Sequence, residues 1–146
     1  MRIAGLIISL VLSLTTGCGQ PDSSESQVRK TIAAIEAAAE DRDVGDVMDS
    51  ISPEFRSPHG QNPDELQQYL YGLFIGNQSI HLLTRINTLE FPAPDEARVN
   101  VTVGMASREA ESANAWNLAA EVHEFDVTLR KEGAAWKVIY TEHKPR

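Results

Sequence analysis

Arg98-Val99-Asn100-Val101-Thr102-Val103 alternates polar and apolar residues without interruption, so Val99, Val101 and Val103 share one side of an extended chain. A period of two with a single apolar side marks a half-buried strand of an antiparallel sheet. Toward the C-terminus, residues 119–130 form a longer strand rich in Val, Phe, Thr and Leu. Lys131-Glu132-Gly133-Ala134-Ala135 reads as a hairpin loop with its glycine, and residues 136–141 return as the last strand. On the other side, residues 79–91 are β-compatible but less regular. The C-terminal half therefore reads as a four-stranded meander.

Before residue 79 the period is helical. Val28, Ile32, Ile35 and Ala39 recur every three or four residues and predict an amphipathic helix over 28–39. Glu40-Asp41-Arg42-Asp43 interrupts it, and Val44, Val47, Met48 and Ile51 predict a short second helix stopped by Pro53. Asn62 reads as a cap, with Pro63 in the first turn and Asp64 and Glu65 at the positive end of the dipole. Leu66, Tyr69, Leu70, Leu73 and Phe74 then give a third apolar face, with Tyr71 pointing outward and Gly76-Asn77 ending the helix. Three helices followed by a meander define an α+β class, with the helices covering one face of a mainly antiparallel sheet.

The first residues differ in kind. Arg2 precedes an apolar run over 3–14, followed by Leu14-Thr15-Thr16-Gly17-Cys18. That run is shorter than the roughly 20 apolar residues needed to span a bilayer, so it reads as a signal segment rather than a retained anchor. Leu14-Thr15-Thr16-Gly17-Cys18 resembles a bacterial lipobox, with Thr15 where an aliphatic residue is usual. Cys18 is the single cysteine of the chain and has no disulfide partner within it. The resemblance implies cleavage before Cys18 and fatty acyl chains on that residue. Two or more chains, at ~0.8 kcal/mol per buried methylene, hold a protein firmly at a membrane. In enteric bacteria an Asp after the cysteine retains such proteins at the inner membrane. Gly19 stands there instead, so the expected location is the bacterial cell envelope, on the outer membrane and facing the periplasm.

The resulting division is a signal peptide over 1–17, a lipidated cysteine with a flexible polar tether over 18–26, and one domain over 27–146. About 120 residues suffice for one compact core and not for two. The chain holds 21 acidic and 13 basic residues for a formal charge of −8. An acidic balance repels phosphate backbones and anionic headgroups, which argues against nucleic acid as a partner and leaves membrane attachment to the lipid.

The order of elements, together with Asp43-Val44-Gly45-Asp46-Val47-Met48, Ser52-Pro53-Glu54-Phe55 and the terminal Gly-x-x-Trp-x-Val from Gly133 to Val138, resembles the NTF2-like superfamily. That superfamily includes nuclear transport factor 2, ketosteroid isomerases, SnoaL-type cyclases and many bacterial lipoproteins. The resemblance implies helices wrapped on a bent sheet as a cone with an open, pocket-forming end, and homodimers through the sheet. It carries packing motifs rather than chemistry. The isomerases of the superfamily need a tyrosine on the first helix and an aspartate before a Pro-Gly stretch. The corresponding positions here are Ile35 and either Ser57 or His59, so that catalysis is not expected.

Strand parity then predicts the pocket. Glu121, His123, Phe125, Val127 and Leu129 share one face, and on the last strand Trp136, Val138, Tyr140 and Glu142 do the same. The apolar ends fill the narrow part of the cone, and Glu121, His123, Tyr140 and Glu142, with Tyr69 and His81 nearby, line its mouth. A Glu beside a His is an acid–base pair when water is excluded. Glu121-x-His123 offers a metal two ligands but no third, with His59, His81 and His143 scattered, so neither metal nor other cofactor is expected. No phosphate loop or nucleophile elbow occurs. Trp116 follows the Ala/Ser/Asn/Glu-rich stretch 107–115, beside a loop of about ten residues, as a lid, a partner contact or a strand anchor. The expected function is a tethered, non-catalytic module binding a small apolar ligand or a protein partner. The alternative is a small hydrolase, lyase or isomerase using Glu121, His123 and Tyr140.

Overall fold

The computed structural model describes residues 22–109 and 118–144. The leader with Cys18, and Trp116, lie outside the described residues. Helix α1 (Ser24–Glu40) opens at Ser23, whose Oγ accepts the Ser26 amide at 3.1 Å. It starts inside the stretch read as tether. The cap and a Glu25–Arg29 pair one turn apart, at 2.9 Å, draw Ser24, Glu25 and Ser26 into helix although none of them joins a core. The chain then turns on Arg42, which adopts a left-handed conformation (φ 57°), and the Arg42 guanidinium donates to the carbonyl of Asn77 at 3.0 Å. Helix α2 (Val44–Asp49) is capped by Asp43, and helix α3 (Pro63–Gly76) by a reciprocal pair in which Asn62 and Glu65 bond each other's backbone amides.

Among the described residues five strands, not four, form the sheet: β1 (Ile51–Arg56), β2 (Asn77–Ala93), β3 (Glu96–Glu109), β4 (Leu118–Glu132) and β5 (Ala135–Lys144), in the spatial order β1-β5-β4-β3-β2. Ile51 therefore begins a strand rather than ending the second helix. β1 runs parallel to β5, and six residues of β1, from Ile51 to Arg56, span only three of β5, from Val138 to Tyr140. This irregularity buries Ser52 and Phe55, three apart, and hides the strand from any test of alternation. Pro53 is tolerated because β1 is an edge strand.

The β4–β5 hairpin turns through Gly133, whose φ of 63° suits glycine. The inner face of the sheet carries Ala97, Val99, Val101, Val127, Leu129, Trp136 and Val138, which close on Val28 and Ile32 of α1 and on Phe55. Trp136 also donates its indole N–H to Gln27 at 3.1 Å and meets Phe91 edge to face, pinning α1 to β5. A second cluster joins Ala38, Val44, Val47, Phe74 and Ile80. At the other edge, Glu36 and Glu40 of α1 accept the amides of Thr84 and Leu82 at 3.1 and 2.8 Å. Four residues of helix and two of strand advance by nearly the same length, about 6.0 and 6.7 Å, so one helix face matches alternate strand amides and caps the edge.

Helix α3 packs through Leu66, Leu70, Leu73 and Phe74. Tyr69 does not join that stripe: it is 60% exposed. Replacing Phe55 by Ala is therefore expected to cost about 3–5 kcal/mol, and Tyr69→Ala to stay within ~0.5 kcal/mol. Urea unfolding of both variants checks the two values, and a mild Phe55→Ala would remove β1 from the core.

Candidate functional site

Along the inner face, burial declines in one direction. On β4, Leu129 and Val127 are buried, Phe125 and His123 are half-buried, and Glu121 is exposed; on β3, Ala97, Val99 and Val101 give way to half-buried Val103 and Met105. Register pairs Val103 with His123, Val101 with Phe125 and Met105 with Glu121, so the polar pair continues the apolar wall at the open end of the sheet. Nε2 of His123 lies 2.9 Å from a Glu121 oxygen, with side-chain exposures of 31% and 56%.

The third member of this group is His143, whose Nε2 is 3.1 Å from Nδ1 of His123. The His143 ring also packs on Phe125, with centroids 5.3 Å apart and planes at 58°. Sequence parity placed Tyr140 and Glu142 on this face and left His143 scattered. The structure reverses that assignment. Val138 pairs with Leu129 but Tyr140 pairs with Thr128, so β5 carries one extra residue, Ile139, and its alternation inverts. Beyond the bulge Thr141 and His143 oppose Val127 and Phe125, while Tyr140 and Glu142 oppose Thr128 and Asp126 on the outer face. No residue type at 138–140 announces the bulge.

His81 is also an outer-face residue, exposed opposite Ala106 because Ile80 and Leu82 turn inward. His81, Tyr140 and Glu142 thus lie on the outer face, while Glu121 and His123 share the inner one. Ile35, at the position where the isomerases carry a tyrosine, packs against both core clusters. Ser57 and His59 lie at a turn closed by Gly60 N–H on the Ser57 carbonyl at 2.9 Å, where His59 is exposed.

The outer face has its own network. Asn100 donates to Asp126 at 2.7 Å and to Glu124 at 3.0 Å, and Lys144 pairs with Asp126 at 2.5 Å. The Asn100 hydrogen bond, then the Lys144 ammonium, hold the Asp126 carboxyl below the usual aspartate value. Leu83 and Val122, 78% and 53% exposed, flank Gly104 in one cross-strand row of this face.

Glu121, His123 and His143 form a line rather than a ring of convergent donors. His123 spends one nitrogen on each neighbour, which leaves no shared point for an ion, and among the described residues no group of three or more His, Cys, Asp or Glu side chains is arranged to hold a metal. Two grooves lie elsewhere on the surface, one of about 420 Å³ between the Arg42 turn and Tyr71, Phe74 and Ile75, the other of about 310 Å³ beside Gln27, Lys30 and Trp136. Neither contains the His–Glu group. No described helix is long and apolar enough to cross a membrane.

No family model matches the chain, and no curated protein is detectably similar to it. Solved structures are similar in shape. A candidate scytalone dehydratase from Novosphingobium aromaticivorans superposes with a TM-score of 0.73 at 14% identity, covering 81% of this chain and 80% of the other. A candidate dehydratase of the NTF2-like family from Streptomyces avermitilis gives 0.72 at 15% identity, over 86% and 99%. The hexachlorocyclohexane dehydrochlorinase LinA type 2 gives 0.70 at 10% identity, over 83% and 84%. At such identities the likeness is one of backbone, and it agrees with the helices, the strand order and the packing of Trp136 and Val138 described above: the chain adopts the NTF2-like fold.

Proposed function

We propose that this domain is a non-catalytic module that binds a small apolar molecule on the inner face of the sheet at its open end. The observation that carries the reading is the burial gradient: Val103, Met105 and Phe125 extend the core wall but are left half-buried, with Glu121, His123 and His143 at its rim. Unfinished apolar wall beside a few polar groups is the usual make-up of a small-molecule site. Methoxynaphthalene, an apolar probe without a donor, is expected to shift the NMR signals of Val103 and Phe125 in the full chain, and Val103→Asp to weaken it at least about tenfold, roughly 1.4 kcal/mol. Probe binding that bypasses Val103 and Phe125 would sink the reading.

A second reading is favoured by the Glu121–His123 hydrogen bond, the arrangement used to move a proton in lyases and isomerases. Against it, the β3 neighbour of His123 is Val103, whose apolar side chain supplies no donor for a developing oxyanion on that side. Loss of deuterium from the α-carbon of a labelled apolar ketone, abolished in both Glu121→Gln and His123→Asn, would establish this reading. Exchange at the uncatalysed rate would dismiss it for ketone substrates.

We further propose that the module is held at the bacterial envelope by acyl chains on Cys18, on the outer membrane and facing the periplasm. The support is the lipobox-like run ending at Cys18 and the absence of Asp at position 19. Expressed in a bacterium fed radiolabelled palmitate, the wild type is expected to carry label and sediment with outer membranes, and Cys18→Ser to lose both. Label retained in the variant would overturn the assignment.

A further inference from the structure

The hydrogen-bonded line at the open end has a direction. As a carboxylate, Glu121 only accepts, so the contact at 2.9 Å requires the proton of neutral His123 to sit on Nε2. The Nδ1 atom of His123 is then an acceptor, and the contact at 3.1 Å requires His143 to donate from its own Nε2. A neutral imidazole has one N–H, so the outward end of the line is a lone pair on Nδ1 of His143. Each hydrogen bond polarises the next, and the negative charge of Glu121 makes that lone pair a better acceptor than an isolated imidazole offers.

The ring that carries it is oriented on both sides. His143 packs on Phe125 at 5.3 Å and on His123 at 5.2 Å, and β-sheet register sets it opposite Phe125, beside the half-buried apolar wall. An acceptor at the edge of such a wall selects an apolar molecule bearing a hydroxyl or N–H. An anion is disfavoured, because the same lone pair and the Glu121 charge repel it.

We infer that Nδ1 of His143 is the hydrogen-bond acceptor that seats the hydroxyl or N–H group of an apolar ligand, with Glu121 and His123 acting as positioning residues that set its polarity. This rests on the binding reading above and adds the chemical class of the ligand. The ketosteroid-type residues are not involved, since Ile35, Ser57 and His59 stand at those positions.

The test uses the full chain labelled with nitrogen-15 in histidine, at about pH 8, well above the ordinary histidine value of about 6.5. The expected result is an Nε2–H tautomer for both His123 and His143, with a coupling across the hydrogen bond between Nδ1 of His123 and Nε2 of His143. In Glu121→Lys the exposed carboxylate is replaced by a group that only donates. His143 is then expected to move its proton to Nδ1, a change that a purely structural role for Glu121 does not produce. Naphthol is expected to bind the wild type about tenfold more tightly than methoxynaphthalene and to lose that preference in Glu121→Lys. A His143 tautomer that ignores the substitution overturns the inference even if both probes still shift Val103 and Phe125. Equal binding of the two probes keeps the apolar site and overturns the acceptor role. Binding of neither overturns both.

Discussion

One extra residue, Ile139 in β5, decides what faces the open end of this sheet. Before it, Trp136 and Val138 point into the core; after it, Thr141 and His143 continue that face toward the open rim, and Tyr140 and Glu142 are carried to the other side. Without the bulge the inner rim would present a phenol and a second carboxylate. With it, the rim is Glu121–His123–His143 against Phe125. A bulge inverts every side chain beyond it at the cost of local ladder bonds, so a single position sets the chemistry of a surface.

The remainder of the molecule holds that surface in place. Stability comes from apolar closure of α1, Phe55 and the inner strands rather than from charge: the pairs Arg29–Glu25 and Arg98–Glu96 are solvent-exposed and worth about 0–1 kcal/mol each. Packing is tight where Leu129, Val99 and Val138 meet and loosens toward His123. Both edges of the sheet are managed as well. β1 is short and carries Pro53, while the amides of Leu82 and Thr84 on β2 are taken by Glu40 and Glu36.

The fold places the chain among structures described as dehydratases and a dehydrochlorinase, but the shared part is backbone at 10–15% identity. Function resides in side chains grafted on such a frame. Here those side chains are the hydrogen-bonded line of Glu121, His123 and His143 beside an apolar wall.

Much of the architecture was readable from local pattern. The period of 3.6 in α1 and α3, the Asn62 cap, the alternation of β3 and the turn at Gly133 depend on neighbours within a few residues, and each appears as the sequence implies. The shared face of Glu121 and His123 followed from the same rule, because β4 has no irregularity between them. Local pattern could not place β1, whose buried residues are three apart, nor Tyr69, whose helical spacing matched the packed stripe but whose position lies past its edge. It could not bring His143 to His123 either, since alternation predicts a common face only while no residue is inserted. The sequence alone therefore determined the helical segments of the first half, the four strands of the second, and which residues alternate within them. Tertiary pairing decided where the alternation breaks, and so which histidine meets Glu121 and His123, because register is set by hydrogen bonds to a neighbouring strand and not by the residues of the strand itself.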